Sequence, residues 1–495
     1  MSSTQLYKKI FRSSAIYSIA VFAPMLVSVV MLPIYAKFLT ADDYAVVDLL
    51  ETTRNLFSML IGGRFADSLF YFYSKTEEPQ ERKKLLGTLV IGSLLVGAAG
   101  AVVGVVAAPL LSRMVFETGK YGEYFAIVFV AFGLSIPMEA GLAWLRARDS
   151  AGLFVVSALA RLALQVTLTV TLLTVLKWGI PGILWSGLLT NGIIGLALAG
   201  ACLWANGFGF VSSTFQEMFA FAVPLGLSGL AMFVVHSGNR FFLQRTISLT
   251  ELGLYSLAYR IGMLVSFAQS SFQSYWTAGV YDAVKGDQAE TVFARVNTYQ
   301  LLAVTYLGLL LVVVSPPFLQ VAAPRFIGAL PFIPLVVVAY VIRAEADYYR
   351  FALFLDKQVG LDAKLNWAAA VFCLAAYATL IPAFGAWGAI AASAATFAFL
   401  LWLVRWRLHK TRPYRLERAR LIKMLATAAV LGGIALLLPR GVFLLTASYA
   451  ILAALLYPVL LHFLRFFDQT ELQGISNLAA RFLPGARKSV AQASK

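Results

Sequence analysis

Charged side chains interrupt the second apolar stretch of this sequence. The segment ETTRNLFSMLIGGRFADSLF, residues 51–70, reads as the middle of a hydrophobic helix but carries Glu51, Arg54, Arg64 and Asp67. A charged side chain near the centre of a bilayer costs at least about 2.5 kcal/mol. Arginine keeps its charge in almost any environment, and its planar guanidinium group binds phosphate or carboxylate through paired hydrogen bonds. These residue types therefore indicate that an anion is bound within a membrane.

The composition supports a membrane protein. Of the 495 residues, 60% are hydrophobic and 13% are charged, whereas soluble proteins are about 45–50% apolar and about 25% charged. The net charge of +16 is typical of basic residues that flank membrane spans, so no nucleic-acid partner is expected. Cys202 and Cys373 both lie in apolar runs, and no disulfide framework is predicted.

The apolar runs predict an all-α integral membrane protein with about fourteen transmembrane helices. The predicted spans are residues 13–36, 45–73, 85–112, 121–145, 152–176, 180–204, 218–244, 252–282, 297–322, 328–354, 364–382, 386–404, 421–438 and 441–464. With a cytoplasmic amino terminus, the cytoplasmic segments contain 26 of the 40 Lys and Arg residues, and the external segments contain 7. This bias predicts that both ends of the chain are cytoplasmic.

The remaining basic residues all lie inside predicted spans, and all are arginines: Arg54, Arg64, Arg161, Arg240, Arg260, Arg343 and Arg350. A cavity with a surplus of arginine favours an anionic solute. We predict that the first six of these residues contribute to substrate binding. Arg54 and Arg64 are ten residues apart, which corresponds to about 15 Å of helix rise, so both can line one broad helix face.

Internal pairing is an alternative explanation for three groups of charges: Glu51 with Arg54, Arg64 with Asp67, and Asp347 with Arg343 and Arg350. Arg240 and Arg350 lie near span ends, where snorkelling to the interface is the alternative. Arg161 and Arg260 have no acidic neighbour within four residues. They therefore require a partner from another helix, from water or from a ligand.

The acidic residues and one histidine offer candidate sites for a coupling ion. Asp67, Glu139 and Asp347 can bind a proton or sodium ion, although a structural role is the alternative for each. His236 lies in the predicted seventh span, where a backbone carbonyl is the usual partner of a lone histidine. Asp48 and Glu51 are expected to lie near the outer surface in contact with solvent.

The sequence contains no metal-ligand spacing, nucleotide-binding loop or nucleophile motif. We therefore expect neither a metal, a cofactor nor an enzymatic activity. Transport would be driven by a proton or sodium gradient, or by the gradient of the solute itself.

The sequence also shows the pattern of an internal duplication, with chance similarity between hydrophobic segments as the alternative. DDYAVVD at residues 42–48 resembles TELGLYS at 250–256, and Glu139 is followed by Glu345 at a similar offset of 206 residues. Six spans per repeat give both halves the same orientation in the membrane, and such repeats pack around an axis along the membrane normal. The predicted parts are an amino-terminal six-helix lobe, a second six-helix lobe, two additional helices and a cytoplasmic tail: residues 1–210, 211–410, 411–465 and 466–495.

The opening of the chain resembles bacterial polysaccharide-biosynthesis membrane proteins. In that family a first helix ends in a P-x-[YL]-[AT]-[RK]-x-L pattern, followed by a short acidic loop and an aromatic helix start. The matching residues here are Pro33, Tyr35, Ala36, Lys37, Leu39, Asp42, Asp43 and Tyr44. Ala45 stands where the family usually has Gly. These proteins are similar to flippases for O-antigen and capsule repeat units, in the superfamily of the lipid II flippase and the MATE multidrug exporters.

The resemblance implies two six-helix lobes that form a V-shaped central cavity and alternate between inward-open and outward-open states. It implies that the substrate is a short glycan on polyprenyl pyrophosphate, whose polyprenyl tail stays among the membrane lipids. It also implies that the protein lies in the bacterial cytoplasmic membrane. Lipid II flippases have functional arginines in the second and eighth helices, where Arg54 and Arg260 stand here. Other polysaccharide synthesis or export proteins are the implied protein partners.

Three alternatives to a flippase follow from the same sequence. An ion-coupled drug exporter of this fold would need more acidic than basic groups in the cavity, which is the opposite of what is found. A membrane-embedded glycan polymerase would need large external loops, whereas the predicted ones are short. A membrane component of a polysaccharide synthesis complex without transport activity stays open, and the basic loop at residues 405–423 can bind an acidic partner or anionic lipid.

Overall fold

The computed structural model describes residues 23, 27, 30–62, 64–283, 289–355, 359–409, 416–439, 441–469, 471 and 473. Across these residues the regular elements are all helical, so the predicted all-α fold is confirmed. Residues 30–38 form the described end of helix α1. The following helices are α2 (Ala41–Leu60), α3 (Ser68–Lys75), α4 (Pro79–Phe116), α5 (Gly122–Ala147), α6 (Ala151–Thr174), α7 (Ile180–Asn206), α8 (Ser212–Ser237), α9 (Asn239–Leu243), α10 (Leu249–Ala283), α11 (Ala289–Ala322), α12 (Ile333–Leu355), α13 (Val359–His409), α14 (Arg418–Leu437) and α15 (Phe443–Phe463).

Nine helices in the described ranges are long and apolar enough to cross a membrane. Three predicted segments extend beyond the described residues: the start of the first span, residues 410–415 of the basic loop, and residues 474–495 of the tail. The chain is thus a multi-pass membrane protein.

The predicted second span is not one continuous helix. Helix α2 begins with a capping box in which the side chains of Thr40 and Asp43 satisfy each other's backbone N–H groups. It ends at Leu60, and Gly62 follows with a φ of 80°, a conformation that favours glycine. Arg64 therefore lies in the turn that follows α2. The prediction that Arg54 and Arg64 share one helix face is wrong.

One other predicted span is divided in the structure, and one predicted break is confirmed. The predicted seventh span is divided into α8 and the short α9 at Gly238. The predicted break between the eleventh and twelfth spans is confirmed, because α13 is interrupted at Gly385, where φ is 55°.

The described residues divide into two compact units. The first unit comprises those within Met1–Arg260, Val321–Phe332 and Gln358–Leu400, and the second comprises those within Ile261–Gln320, Ile333–Lys357 and Leu401–Lys495. The predicted lobe boundaries stay a prediction.

Small residues allow helices α4 and α5 of the first unit to pack closely. A Cβ atom on Gly97 would lie 2.3 Å from the carbonyl oxygen of Gly133, and one on Gly133 would lie 2.5 Å from that of Gly97. Such small-residue contacts let helix backbones approach where lipid supplies no hydrophobic driving force. This packing holds α5, which carries Glu139.

Positions that the predicted duplication makes equivalent contact each other within the first unit. Thr250 donates a hydrogen bond to Asp42 at 2.6 Å, and Ser256 donates one to Asp48 at 2.7 Å, both across an offset of 208 residues. Gly253 permits this approach, because a Cβ atom there would lie 1.9 Å from the carbonyl oxygen of Ala41.

The second unit contains a network of charges around the segment that follows α15. Arg420 of α14 forms salt bridges with Asp468 at 2.6 Å and with Glu471 at 3.1 Å. Arg295 of α11 contacts Asp468 at 2.9 Å, and the backbone N–H of Asp468 donates to Glu471 at 2.7 Å. These contacts connect helices α11 and α14 to Asp468 and Glu471.

This network is expected to open in acid. A hydrogen bond from Arg420 lowers the pKa of Asp468 below its ordinary value of 3.8. Partial burial raises the pKa of Glu471, but hydrogen bonds from Tyr299, from the backbone of Asp468 and from Arg420 outweigh it, so the pKa lies below 4.5. Because both pKa values are lower in the folded state, the stabilisation is complete above the ordinary values and is lost as the pH falls through the lowered values.

A spin label on a Gln473→Cys variant measures this opening. Its mobility should stay constant from neutral pH down to about pH 5 and rise below about pH 4. Adding Arg420→Gln should make the label mobile at every pH. A label whose mobility is independent of pH in the unmodified network would contradict the prediction.

Candidate functional site: an arginine-lined pocket

The first unit contains a cavity of about 540 Å³ between helices α1, α2, α5, α6 and α7. We call it the arginine pocket, and it is lined by Tyr35, Glu51, Arg54, Val128, Ala131, Glu139, Leu142, Arg146, Phe154, Ala158, Arg161, Leu162, Gln165, Ile183, Leu184, Gly187 and Asn191. Three of its seventeen lining residues are arginines, and two are glutamates. Three residues predicted from the sequence meet here: Arg54, Arg161 and Glu139.

Arg161 and Glu139 are partners across two helices. The Nη1 atom of Arg161 on α6 lies 3.2 Å from the Oε1 atom of Glu139 on α5. The sequence required Arg161 to find a partner outside its own helix, and the structure confirms this. Both side chains remain substantially exposed, at 39% and 45%, so the pair lies at the wall of the pocket rather than inside the protein core.

Glu51 is likewise paired across helices. Its Oε2 atom lies 3.6 Å from the Nη2 atom of Arg260 on α10. The guanidinium group of Arg260 also lies 5.4 Å from the ring centroid of Tyr44. The predicted alternative, in which Glu51 neutralises Arg54 on the same helix, is not observed. Each glutamate of the pocket is therefore neutralised by one arginine.

Arg54 and Arg146 form no salt bridge within the described part of the chain. Arg54 donates one hydrogen bond to the side chain of Asn55 at 3.0 Å, and its Nε atom is buried without a hydrogen-bond partner. Arg146 lies against the rings of Phe70 and Phe154, at 5.0 and 5.6 Å, and its Nε atom also lacks a partner. After pairing, the pocket therefore retains two positive charges.

The pocket extends along much of helix α5. The pocket includes Val128 and Arg146 on this helix, a separation of 18 residues that corresponds to about 27 Å of helix rise. This length is most of a hydrocarbon core about 30 Å thick. Gln165 and Asn191 add amide groups along the wall, with Asn191 held by a 3.1 Å hydrogen bond to the carbonyl of Ala131.

Arg146 was missed by the sequence reasoning. It was assigned to a cytoplasmic loop because it follows the predicted fourth span, whereas it lies in the last turn of α5. Its spacing gave a signal that was not used: Glu139, Leu142 and Arg146 recur at helical intervals and share one face. Tyr35, Gln165 and Asn191 carried no charge and were also missed.

Arg64 and Asp67 lie outside the pocket lining. They form a salt bridge of 2.6 Å, with side chains 55% and 40% exposed. The predicted internal pairing is confirmed. Their roles in substrate binding and ion coupling stay predictions.

Arg240 occupies a buried ion pair in the first unit. Its Nε atom lies 2.8 Å from Asp48, and its Nη1 atom donates to the carbonyl of His236 at 3.1 Å. The side chains of Arg240 and Asp48 are only 8% and 13% exposed. The expectation that Asp48 is solvated is wrong, because α9 and α10 cover it. Snorkelling of Arg240 is also not observed.

The other predicted residues lie in different places. Asp347 is held between Arg343 at 3.2 Å and Arg350 at 2.8 Å within the second unit, which confirms the predicted pairing. His236 lies in α8, with its ring 5.9 Å from that of Phe397. No group of three His, Cys, Asp or Glu residues suited to a metal ion occurs in the described segments.

Comparison with solved structures identifies the fold. The lipid II flippase MurJ in an inward closed conformation superposes with a TM-score of 0.70 at 12% identity, covering 91% of this chain and 98% of the other. An inward-facing multidrug resistance MATE family transporter of the MOP superfamily gives a TM-score of 0.63 at 16% identity, covering 80% of this chain and 98% of the other. These similar structures are a flippase and a transporter, and the likeness shows that this chain shares their fold.

Sequence comparison identifies the family. No curated protein matches the chain. A family model described as "Polysaccharide biosynthesis protein" matches residues 10–276, which is more than half of the 495 residues. The match includes α2, α5, α6 and α7, which carry most of the pocket. The chain therefore belongs to the polysaccharide biosynthesis protein family.

Proposed function

We propose that this protein translocates an oligosaccharide linked to polyprenyl pyrophosphate across the bacterial cytoplasmic membrane, for the synthesis of cell-surface or exported polysaccharide. The observation that carries the proposal is the positive surplus of the arginine pocket, where Arg54 and Arg146 have no carboxylate partner among the described residues. The family and the fold agree with this function. The basic bias of the predicted cytoplasmic segments supports a cytoplasmic location for both ends of the chain.

The chemistry of the pocket matches the linkage of such a substrate. A pyrophosphate diester carries about two negative charges, and planar guanidinium groups bind phosphate oxygens through paired, charge-assisted hydrogen bonds. Arg54 and Arg146 supply two positive charges that the protein does not neutralise itself. The apolar chain stays in the lipid, while Gln165 and Asn191 offer hydrogen bonds to the glycan.

The paired arginines provide a means of releasing the anion. Glu139 and Glu51 compete with phosphate for Arg161 and Arg260, respectively. A conformational change that strengthens these two salt bridges weakens the hold on the substrate. Alternating access requires such a difference in affinity between two states rather than tight binding in both. A proton or sodium gradient, or the substrate gradient itself, drives the cycle.

An ion-coupled exporter of cationic drugs is the second candidate, because a MATE family transporter shares the fold. The surplus of positive charge in the pocket argues against a cationic substrate. A component of a polysaccharide synthesis complex that does not itself transport is the third candidate. Other polysaccharide synthesis or export proteins are proposed partners in either case.

Depletion of the protein in cells tests these functions against each other. The lipid-linked oligosaccharide should accumulate on the cytoplasmic leaflet, surface polysaccharide should fall, and wild-type protein should restore both. Sensitivity to cationic drugs should not change. Increased drug sensitivity with normal leaflet distribution would favour the exporter, and loss of the oligosaccharide from both leaflets would favour a role in synthesis.

A further inference from the structure

A buried carboxyl group in the second unit lacks the arginine partner that other carboxylates in the predicted spans have. Asp67, Glu139 and Asp347 each form a salt bridge with an arginine. Glu345 on α12 is only 7% exposed, and it forms no salt bridge with any residue in the described ranges. In the predicted duplication Glu345 is the counterpart of Glu139. The two equivalent carboxyl groups therefore differ, because only Glu139 has an arginine partner.

Neutral amide groups surround Glu345. Its Oε1 atom accepts a hydrogen bond from Asn297 of α11 at 3.1 Å, and the same amide group donates to the hydroxyl of Tyr349 at 3.3 Å. Its Oε2 atom is buried and has no hydrogen-bond partner within the described structure. One turn along α11, Gln300 donates to Gln269 of α10 and lies 3.5 Å from the carbonyl of Ala344.

None of the charged side chains described around this cluster forms a salt bridge with the carboxyl group of Glu345. Helices α10 and α11 contribute the uncharged Gln269, Asn297 and Gln300, which are all at least 97% buried. On α12, Asp347 is already held between two arginines. On α13, the guanidinium group of Arg405 lies 5.2 Å from the ring centroid of Tyr349 and forms no salt bridge with Glu345 in the described structure.

We propose that Glu345 is the binding site for a proton that couples substrate movement to the proton gradient. An ionised carboxylate buried without a counter-charge is strongly unfavourable, whereas a neutral carboxyl group among amides is not. Glu345 therefore carries a proton in this conformation. It binds that proton on one side of the membrane and releases it on the other, when the cycle admits water or brings Arg405 into contact. This inference rests on the proposed transport function.

Infrared spectroscopy of the full-length protein in liposomes tests proton binding without any substrate. Wild-type protein should show the C=O stretching band of a buried protonated carboxyl group at neutral pH, and Glu345→Gln should lack it. Glu123→Gln, at the exposed start of α5, should retain the band. If Glu345→Gln keeps the band, or if sodium ions at constant pH remove it from wild-type protein, the proton site is refuted. Asn297→Leu should alter its frequency if the carboxyl group accepts the hydrogen bond described here.

Transport in liposomes then tests coupling with a synthetic polyprenyl pyrophosphate disaccharide that carries a fluorescent tag. A gradient of about one pH unit allows about a tenfold accumulation of the probe for one coupled proton. Wild-type and Glu123→Gln proteins should accumulate the probe, whereas Glu345→Gln should only equilibrate it. Accumulation by Glu345→Gln would overturn the inference. If wild-type protein does not move the probe at all, the proposed function fails, and the infrared result alone decides whether Glu345 binds a proton.

Discussion

Replacing Arg54 with alanine is expected to lower the rate of glycolipid translocation about tenfold to a hundredfold. A hydrogen bond to a charged group contributes about 1.5–3 kcal/mol, and each 1.4 kcal/mol corresponds to about a factor of ten. Arg54 has no carboxylate partner within the described chain, and its Nε atom is buried and unsatisfied, so its removal subtracts directly from the binding of phosphate. Arg146→Ala should have an effect of similar size.

Conservative and distant substitutions make this prediction specific. Arg54→Lys should lose part of the activity, because lysine keeps the charge but not the planar pair of donors. Arg113→Ala removes a positive charge at the exposed end of α4. Because Arg113 does not line the arginine pocket, this variant should leave transport unchanged. The rates should be compared at equal amounts of protein in the membrane. Normal rates in both Arg54→Ala and Arg146→Ala would refute the role of the pocket arginines.

Replacing Asp48 with asparagine is expected to destabilise the protein by about 3–5 kcal/mol, the usual effect of removing one partner from a buried ion pair. The side chain of Arg240 would stay buried with only neutral oxygen partners, the carbonyl of His236 and the amide of Asn239. Ser256 would also lose a charged acceptor. Thermal unfolding in detergent, together with unfolding by a denaturing detergent, measures the loss.

The exposed pair of Arg64 and Asp67 provides the matched control. Asp67→Asn removes a salt bridge of similar length, 2.6 Å, from side chains 55% and 40% exposed. Exposed ion pairs contribute only about 0–1 kcal/mol, so this variant should unfold nearly like the wild type. Equal effects of Asp48→Asn and Asp67→Asn would contradict the account of the buried pair. The double variant Asp48→Asn with Arg240→Gln should recover part of the lost stability, because no unpaired charge stays buried.

Hydrophobicity made the helical membrane fold predictable, but it did not reveal every break in a helix. An apolar run about 20 residues long must form a helix in lipid, since no other backbone structure satisfies its own hydrogen bonds there. Whereas the break at Gly385 lies between two predicted spans, the break at Gly62 depends on a single backbone conformation inside an apolar segment. This is why Arg64 was placed on the wrong surface although its span was recognised.

Charge made part of the arginine pocket predictable. An arginine inside a span needs a partner, which identified Arg161 as a residue that must reach another helix. The identity of that partner, Glu139, depends on how α5 and α6 pack, and a single sequence does not contain that information. The same limit applies to Asp48, whose buried partner Arg240 is 192 residues away.

Polar residues without charge were the least predictable part of the site. Gln165 and Asn191 occur in apolar helices, where a structural hydrogen bond is as plausible as contact with a ligand. Arg146 was missed for a different reason: a residue at a helix end can belong either to a loop or to the last turn. Its position was decided by the end of α5 at Ala147, which the span prediction had set two residues too early.

The most direct test uses purified protein in liposomes with two tagged probes that share the polyprenyl chain and the disaccharide. One probe carries the pyrophosphate linkage, and the other carries an uncharged linkage of similar length. The account predicts that the protein equilibrates the pyrophosphate probe between leaflets, that it moves the uncharged probe at least about tenfold more slowly, and that Arg54→Ala removes this difference. Equal movement of both probes by the wild-type protein, or no movement of the pyrophosphate probe, would contradict it.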